Sequence, residues 1–197
     1  MLNEETINKD YILWCEYLKK YNCDSDALQN DLGEKIKNAS WSLNLQSGGG
    51  KGTMLHTVLT SLCPIAAHIN NDAFGLNSKQ KDKHPLLKVD NNSLMKVLLL
   101  QHISKADMFV PSTEQWKINK GMLYDFNPNL ETVLKLGARS VYLCMKYNIS
   151  LTEDEYEAML ILDKEEDKTN SFTNPLCEIV KISNQLTAIE IFGKING

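Results

Sequence analysis

Apolar residues return at intervals of three and four along most of this chain, and the strict alternation that a half-buried strand needs is scarce. That confines the fold to helices packed on helices. In residues 6–21, Ile7, Tyr11, Trp14 and Leu18 follow one another at spacings of four, three and four, so they share one helical face. A second, short helix is expected over residues 24–38. "LQSGGGKGT" then breaks the pattern with four glycines between residues 48 and 52. A long helix is expected from about Met54 to Ile69, bent or interrupted near Pro64. Residues 70–85 read as a polar surface loop, and about 91–105 as a helix. The segment 108–130, with Pro111 and Pro128, has no clear period, and an excursion such as a short hairpin is expected there. Helices over about 131–147 and 153–165 are joined by "NISLTEDE", where Thr152 and Glu155 form a capping box that makes the join tight. Asn174 as N-cap and Pro175 at the first helical position open a last helix that runs apolar to Phe192.

With 197 residues the chain is expected to form one domain, able to bury roughly 70% of its unfolded surface. Its five cysteines are odd in number, scattered and free of any C-x-x-C pair, so they read as reduced thiols. The N-terminus is charged from its fourth residue, and no run approaches the ~18 apolar residues of a membrane span, so a soluble intracellular protein is expected. A net charge of −4 with both signs interspersed offers no positive field for nonspecific nucleic-acid binding. "SGGGKGT" lacks the spacing of a phosphate-binding P-loop: position 45 is leucine and position 52, directly after the lysine, is glycine. His56, His68, His84 and His102 are too spread for a local metal motif, and the acidic run "DKEEDK" at 163–168 reads as a solvated helix end.

Several segments gain meaning when taken in order. "GGGKGTMLHT" leads through glycines into a helix with His56 near its start. "LLQHISK" ends an apolar run on Gln101 and His102, with Lys105 three positions on. "KLGARSVYLCMKYNISLTEDEYEAMLIL" carries Arg139 between leucines 136 and 162, and "NPLCEIVKISN" ends on Asn184. From about Ser40 to Phe192, roughly three quarters of the chain, this order resembles the HD-domain family of metal-dependent phosphohydrolases, especially a small helical bacterial branch. In that branch the corresponding segments read "EHS", "LLHDxxK", "GHGEKSV" and "NPLxxLLHxAD". The resemblance implies an all-α, HD-domain-like helical bundle over residues 40–197, with residues 1–39 as N-terminal helices packed on it. It puts His56 at a histidine, Gln101 and His102 at the His-Asp pair, and Asn184 at the last metal-binding aspartate. Leu136, Leu162 and Lys181 fall on further histidines, while Lys105 and Arg139 fall on two lysines.

The family's site holds a divalent metal through two histidines and two aspartates, whose charge offsets the cation so that the metal can acidify a bound water. Gln101 and Asn184 offer only neutral amides, and a hard cation would find no carboxylate at the matched positions. His56, Gln101, His102 and Asn184 are therefore expected to be vestigial, with no metal, no other cofactor and no catalytic residue. Gln101 and His102 would be buried and hydrogen-bonded, Asn184 among their partners, and Leu136 and Leu162 would suit a dry core. Alternatives stay open. His56, His102 and an unmatched acid, Asp72 or Asp107, could rebuild a zinc site. Lys105 and Arg139 could hold a phosphate or nucleotide without hydrolysing it. The chain could also be an active metal-dependent phosphohydrolase acting on a nucleotide or other phosphate ester. The expectation is a non-hydrolytic structural or interaction protein that works with a protein partner or by self-assembly. Its Asn- and Lys-rich composition fits the AT-rich genome of a bacterium or a phage, and the expected location is the cytoplasm of a bacterium or a phage-infected host, or a phage particle. The aromatic face of the first helix, with Tyr11, Trp14, Tyr17 and Leu18, is expected to dock on its own domain.

Overall fold

The computed structural model describes residues 2–72, 89–132, 134–163 and 174–196. It is mainly helical, as the periodicity predicts, with one small two-stranded sheet. None of the described helices is long and apolar enough to cross a membrane.

Helix α1 (Glu4–Lys20) is opened by Asn3, whose side chain accepts from the Thr6 amide at 2.8 Å. Glu4 and Glu5 in its first turn and Lys19 and Lys20 in its last suit the helix dipole. It buries Ile7, Asp10, Trp14 and Leu18. Trp14 is fully buried in the main core, and its Nε1 donates to the Leu99 carbonyl at 3.1 Å. Trp14 of the aromatic face thus packs into the main core, with Tyr11 and Tyr17 partly buried against it. Helix α2 (Asp26–Asn38) is capped by Ser25, whose hydroxyl also donates to the Tyr147 carbonyl at 2.9 Å.

The glycine-rich stretch after α2 folds tightly around a short 3-10 turn at Leu45–Ser47. Its amides are consumed internally: Gly48 donates to Leu45 O, Gly49 to Asn44 O, Gly50 to the Ser40 hydroxyl and Gly52 to Asn38 O. This is a packing device rather than a phosphate cradle. Gly52 has φ +75°, and a Cβ there would lie 2.6 Å from Ile7 Cγ1. Gly52→Ala is therefore expected to cost about 1–3 kcal/mol, from backbone strain plus displacement of α1. Gly193→Ala, at a helical site where nothing lies within 4 Å, should be neutral or slightly stabilising. Urea unfolding of both variants beside the parent checks this, and equal midpoints for the two would refute it.

Helices α3 (Thr53–Thr57) and α4 (Cys63–Asp72) are joined without a break by a π-helical turn at Val58–Leu62. Pro64 lacks an amide, and in an α-helix its ring would press on the carbonyl four residues back; the widened turn just upstream relieves both problems. The predicted interruption near Pro64 is this π turn. Of the loop predicted over 70–85, the part from residue 73 lies outside the described residues, and residues 70–72 continue α4.

Helix α5 (Asn91–Leu100), capped by Asp90, ends five residues before the predicted 105. Residues 101–104 instead form tight turns, and α6 (Lys105–Met108) follows. The Ser140 hydroxyl sets this turn from a distance, donating to Gln101 O at 2.8 Å and accepting from the Ser104 amide at 3.2 Å. The expected hairpin is present: β1 (Phe109–Pro111) pairs antiparallel with β2 (Tyr124–Phe126), with helix α7 (Gln115–Asn119) between them.

Helix α8 (Leu136–Lys146) begins five residues later than the predicted 131, because its cap is the distant Asp163 carboxylate, which accepts from the amides of Gly137 at 2.8 Å and Ala138 at 2.6 Å. The capping box of α9 (Glu153–Leu160) forms as predicted. A 3-10 turn continues it to Asp163, and most of the acidic run beyond lies outside the described residues. Helix α10 (Pro175–Asn196) opens with the Cys177 amide donating to the Asn174 side chain at 2.9 Å. All five cysteines are free thiols.

Candidate functional site

The turn at 101–104 aims two polar side chains inward. Gln101 is fully buried and His102 is 5% exposed. Asn184 reaches them from α10. Its Nδ2 donates to Val180 O at 2.8 Å and to Gln101 Oε1 at 3.2 Å, while its Oδ1 lies 3.0 Å from His102 Nε2. A backbone carbonyl can only accept, so Val180 O fixes which end of the Asn184 amide carries the nitrogen. Oδ1 then faces the imidazole, and the His102 proton must sit on Nε2. Burial, and next the Lys105 ammonium, pull the His102 pKa well below its ordinary value, against the opposing pull of the Asn184 bond. The cluster is accordingly a neutral imidazole and two neutral amides, with Asn184 bonded to both of the others. Gln101 Nε2 and His102 Nδ1 are left buried without a hydrogen-bond partner.

Two further residues close the cluster. The Trp41 ring meets His102 edge-on, with centroids 4.5 Å apart. Lys105 is buried, with its ammonium 3.7 Å from the Trp41 ring centroid and donating to the Trp41 carbonyl at 2.7 Å. Burial pulls its pKa down to about 7. Nothing in the local spacing around Trp41 marks it as part of this site; only the chain's return from α2 brings it over His102.

The other residues singled out in the sequence go elsewhere. His56, on α3, places Nδ1 3.0 Å from Asp10 Oδ2 and so ties α3 to α1. Arg139 donates through Nε and Nη2 to Asp107 Oδ2, at 3.1 and 2.6 Å, with its guanidinium over the Tyr142 ring. The two cations proposed for a phosphate thus have separate partners, Trp41 and Asp107. Asp107 is engaged by Arg139, and Asp72 is the last residue of α4. Leu136 and Leu162 are half-buried rather than in a dry core, and Lys181 is exposed and does not enter the cluster. Among the described residues, no three His, Cys, Asp or Glu side chains converge as a metal-binding group.

A cleft beside Asp107 does not include this chemistry. A cavity of about 440 Å³ opens beside Asp107 and Arg139, between Leu32, Tyr142 and Tyr147, and none of Gln101, His102 and Asn184 lines it. Compared with family models, with curated proteins and with solved structures, the chain matches none.

Proposed function

We propose that the protein is a non-hydrolytic, HD-domain-like structural or interaction protein, a pseudoenzyme that works by self-assembly or with a protein partner in a bacterial cell, a phage-infected host or a phage particle. The observation that carries the reading is the Gln101–Asn184–His102 hydrogen-bonded cluster. Three positions that the resemblance assigns to metal ligands do meet, although Asn184 is more than 80 residues from the other two. What meets there is two amides and a neutral imidazole beside a buried lysine. A divalent cation would have to enter against Lys105, with no carboxylate to offset its charge.

The purified protein is expected to hold no stoichiometric Mn, Fe, Mg or Zn after dialysis, and to release no phosphate from nucleotides when Mn²⁺ is added. Elemental analysis and a phosphate-release assay check this. One or more retained metal equivalents, or Mn²⁺-dependent turnover, would favour the active metal-dependent phosphohydrolase instead.

A further inference from the structure

A helix on a protein surface keeps a polar outer face, and one that is apolar all round is covered on every side. The second half of α10 has no such polar face. Its inner side is spent on the domain: Thr187 is buried, and Ile191 lies against the glycine-rich loop, where a Cβ at Gly48 would come within 3.1 Å of it. Its outer side is apolar as well. Leu186 is 42% exposed, Ile189 66% and Phe192 51%, with half-buried Ile182 a turn before them and exposed Gly193 after. A Cβ at Gly193 would meet nothing within 4 Å, so nothing among the described residues requires a glycine in this helix. Ile182, Leu186, Ile189 and Gly193 follow at spacings of four, three and four, which is the seam spacing of paired helices.

We propose that this seam is the contact between two copies of the chain, paired antiparallel about a two-fold axis that crosses α10 between Thr187 and Ala188. The spacing selects the partner. Four, three, four reads the same from either end, so a second copy running the opposite way meets each seam residue with one of its own: Leu186 with the partner's Ile189, and Ile182 with the partner's Gly193. The glycine then has a use, as room for an isoleucine. A parallel pair would set glycine on glycine and leave that layer empty. None of the four positions carries a charge, so the pairing strands no ion. The seam is about 16 Å long at 1.5 Å per residue, too short for the ~800 Å² per partner of a standard interface, so the dimer is reversible, with a Kd of roughly 1–100 µM. The pairing rests on the self-assembly reading above and gives it a contact.

Light scattering of the full chain, from roughly 1 µM to roughly 1 mM, is expected to show the mass rising from one copy to two. Ile189→Lys, at an exposed position, should stay at one copy over that range and keep the parent's urea midpoint at low concentration. Cross-linking reads the orientation. Under mild oxidation, Ile182→Cys mixed with Gly193→Cys should give a disulfide-linked pair that neither variant gives alone, because an antiparallel pair holds like positions about 16 Å apart. A parent that stays monomeric overturns the dimer, as does a mass that doubles equally in Ile189→Lys. If the parent is monomeric and Ile189→Lys lowers its urea midpoint, one chain covers its own seam. Linkage in Ile182→Cys alone overturns the antiparallel pairing. Retained metal or phosphate release would instead refute the non-hydrolytic reading and leave these masses unchanged.

Discussion

Replacing Trp14 with alanine is expected to remove about 3–5 kcal/mol of folding stability. The side chain is fully buried, so the truncation leaves a cavity where α1 meets the main core. It also strips the Leu99 carbonyl of its donor, a buried acceptor worth about 1–3 kcal/mol when orphaned. Against a typical total of about 5–15 kcal/mol, such a loss moves the unfolding midpoint far enough to measure by urea titration. Trp14→Phe, which keeps most of the volume but loses the N–H, should fall between alanine and the parent and so separate packing from hydrogen bonding. Removal of residues 1–22 should destabilise the domain in the same way. If the truncated chain kept its melting temperature and instead lost assembly size in light scattering, α1 would be an interface helix and self-docking would be wrong.

Lys105 should contribute a rise of about 2 kcal/mol in stability between pH 7 and pH 9, partly offset toward pH 9 by the buried thiols, and Lys105→Met should abolish that contribution. The folded chain holds the Lys105 pKa at about 7, whereas its ordinary value is 10.5. Between those values the unfolded chain binds one more proton than the folded chain, so raising the pH favours the fold; below about pH 7 both forms are protonated and the cost of the buried charge is fully present. The useful window closes near pH 9. The thiols of Cys23, Cys63 and Cys144 are pushed by burial from 9.0 up to about 12, so above pH 9 the unfolded chain loses protons that the folded chain keeps, and stability falls. His102 acts at the acid end. Its folded pKa lies well below 6.5, so the unfolded chain takes up a proton first and stability is lost as the pH drops through that range. Urea midpoints of the parent and Lys105→Met at half-unit steps from pH 6 to 9.5 measure the difference. Parallel curves would mean that Lys105 does not change its proton affinity on folding.

The chain's helices were legible where their causes are local. Thr152, Glu155 and Asn174 act on amides within three residues, and the face that runs Ile7, Trp14, Leu18 is visible as spacing. Boundaries were misplaced where the cause is remote. Asp163 starts α8 from 25 and 26 residues away, and Ser140 holds the turn at Gln101–Ser104 from 36 and 39 residues away. The candidate site divides the same way. Gln101, His102 and Asn184 could be named from a resemblance between segments, but not the tautomer of His102, which rests on Val180 O through the Asn184 amide.

Residue order alone determined that this chain would be helical, that its first helix needed a surface to dock on, and that no carboxylate stands at the positions where the resemblance puts metal-binding aspartates. Those are properties of residue type and of neighbours three or four apart. Only the tertiary structure decided that Lys105 lies buried on Trp41, that Arg139 is spent on Asp107, and that His56 serves Asp10. A lysine in a sequence carries the same charge whether it will be solvated or buried. Its proton affinity and its partner follow from desolvation and contact, and those exist only once distant parts of the chain have met.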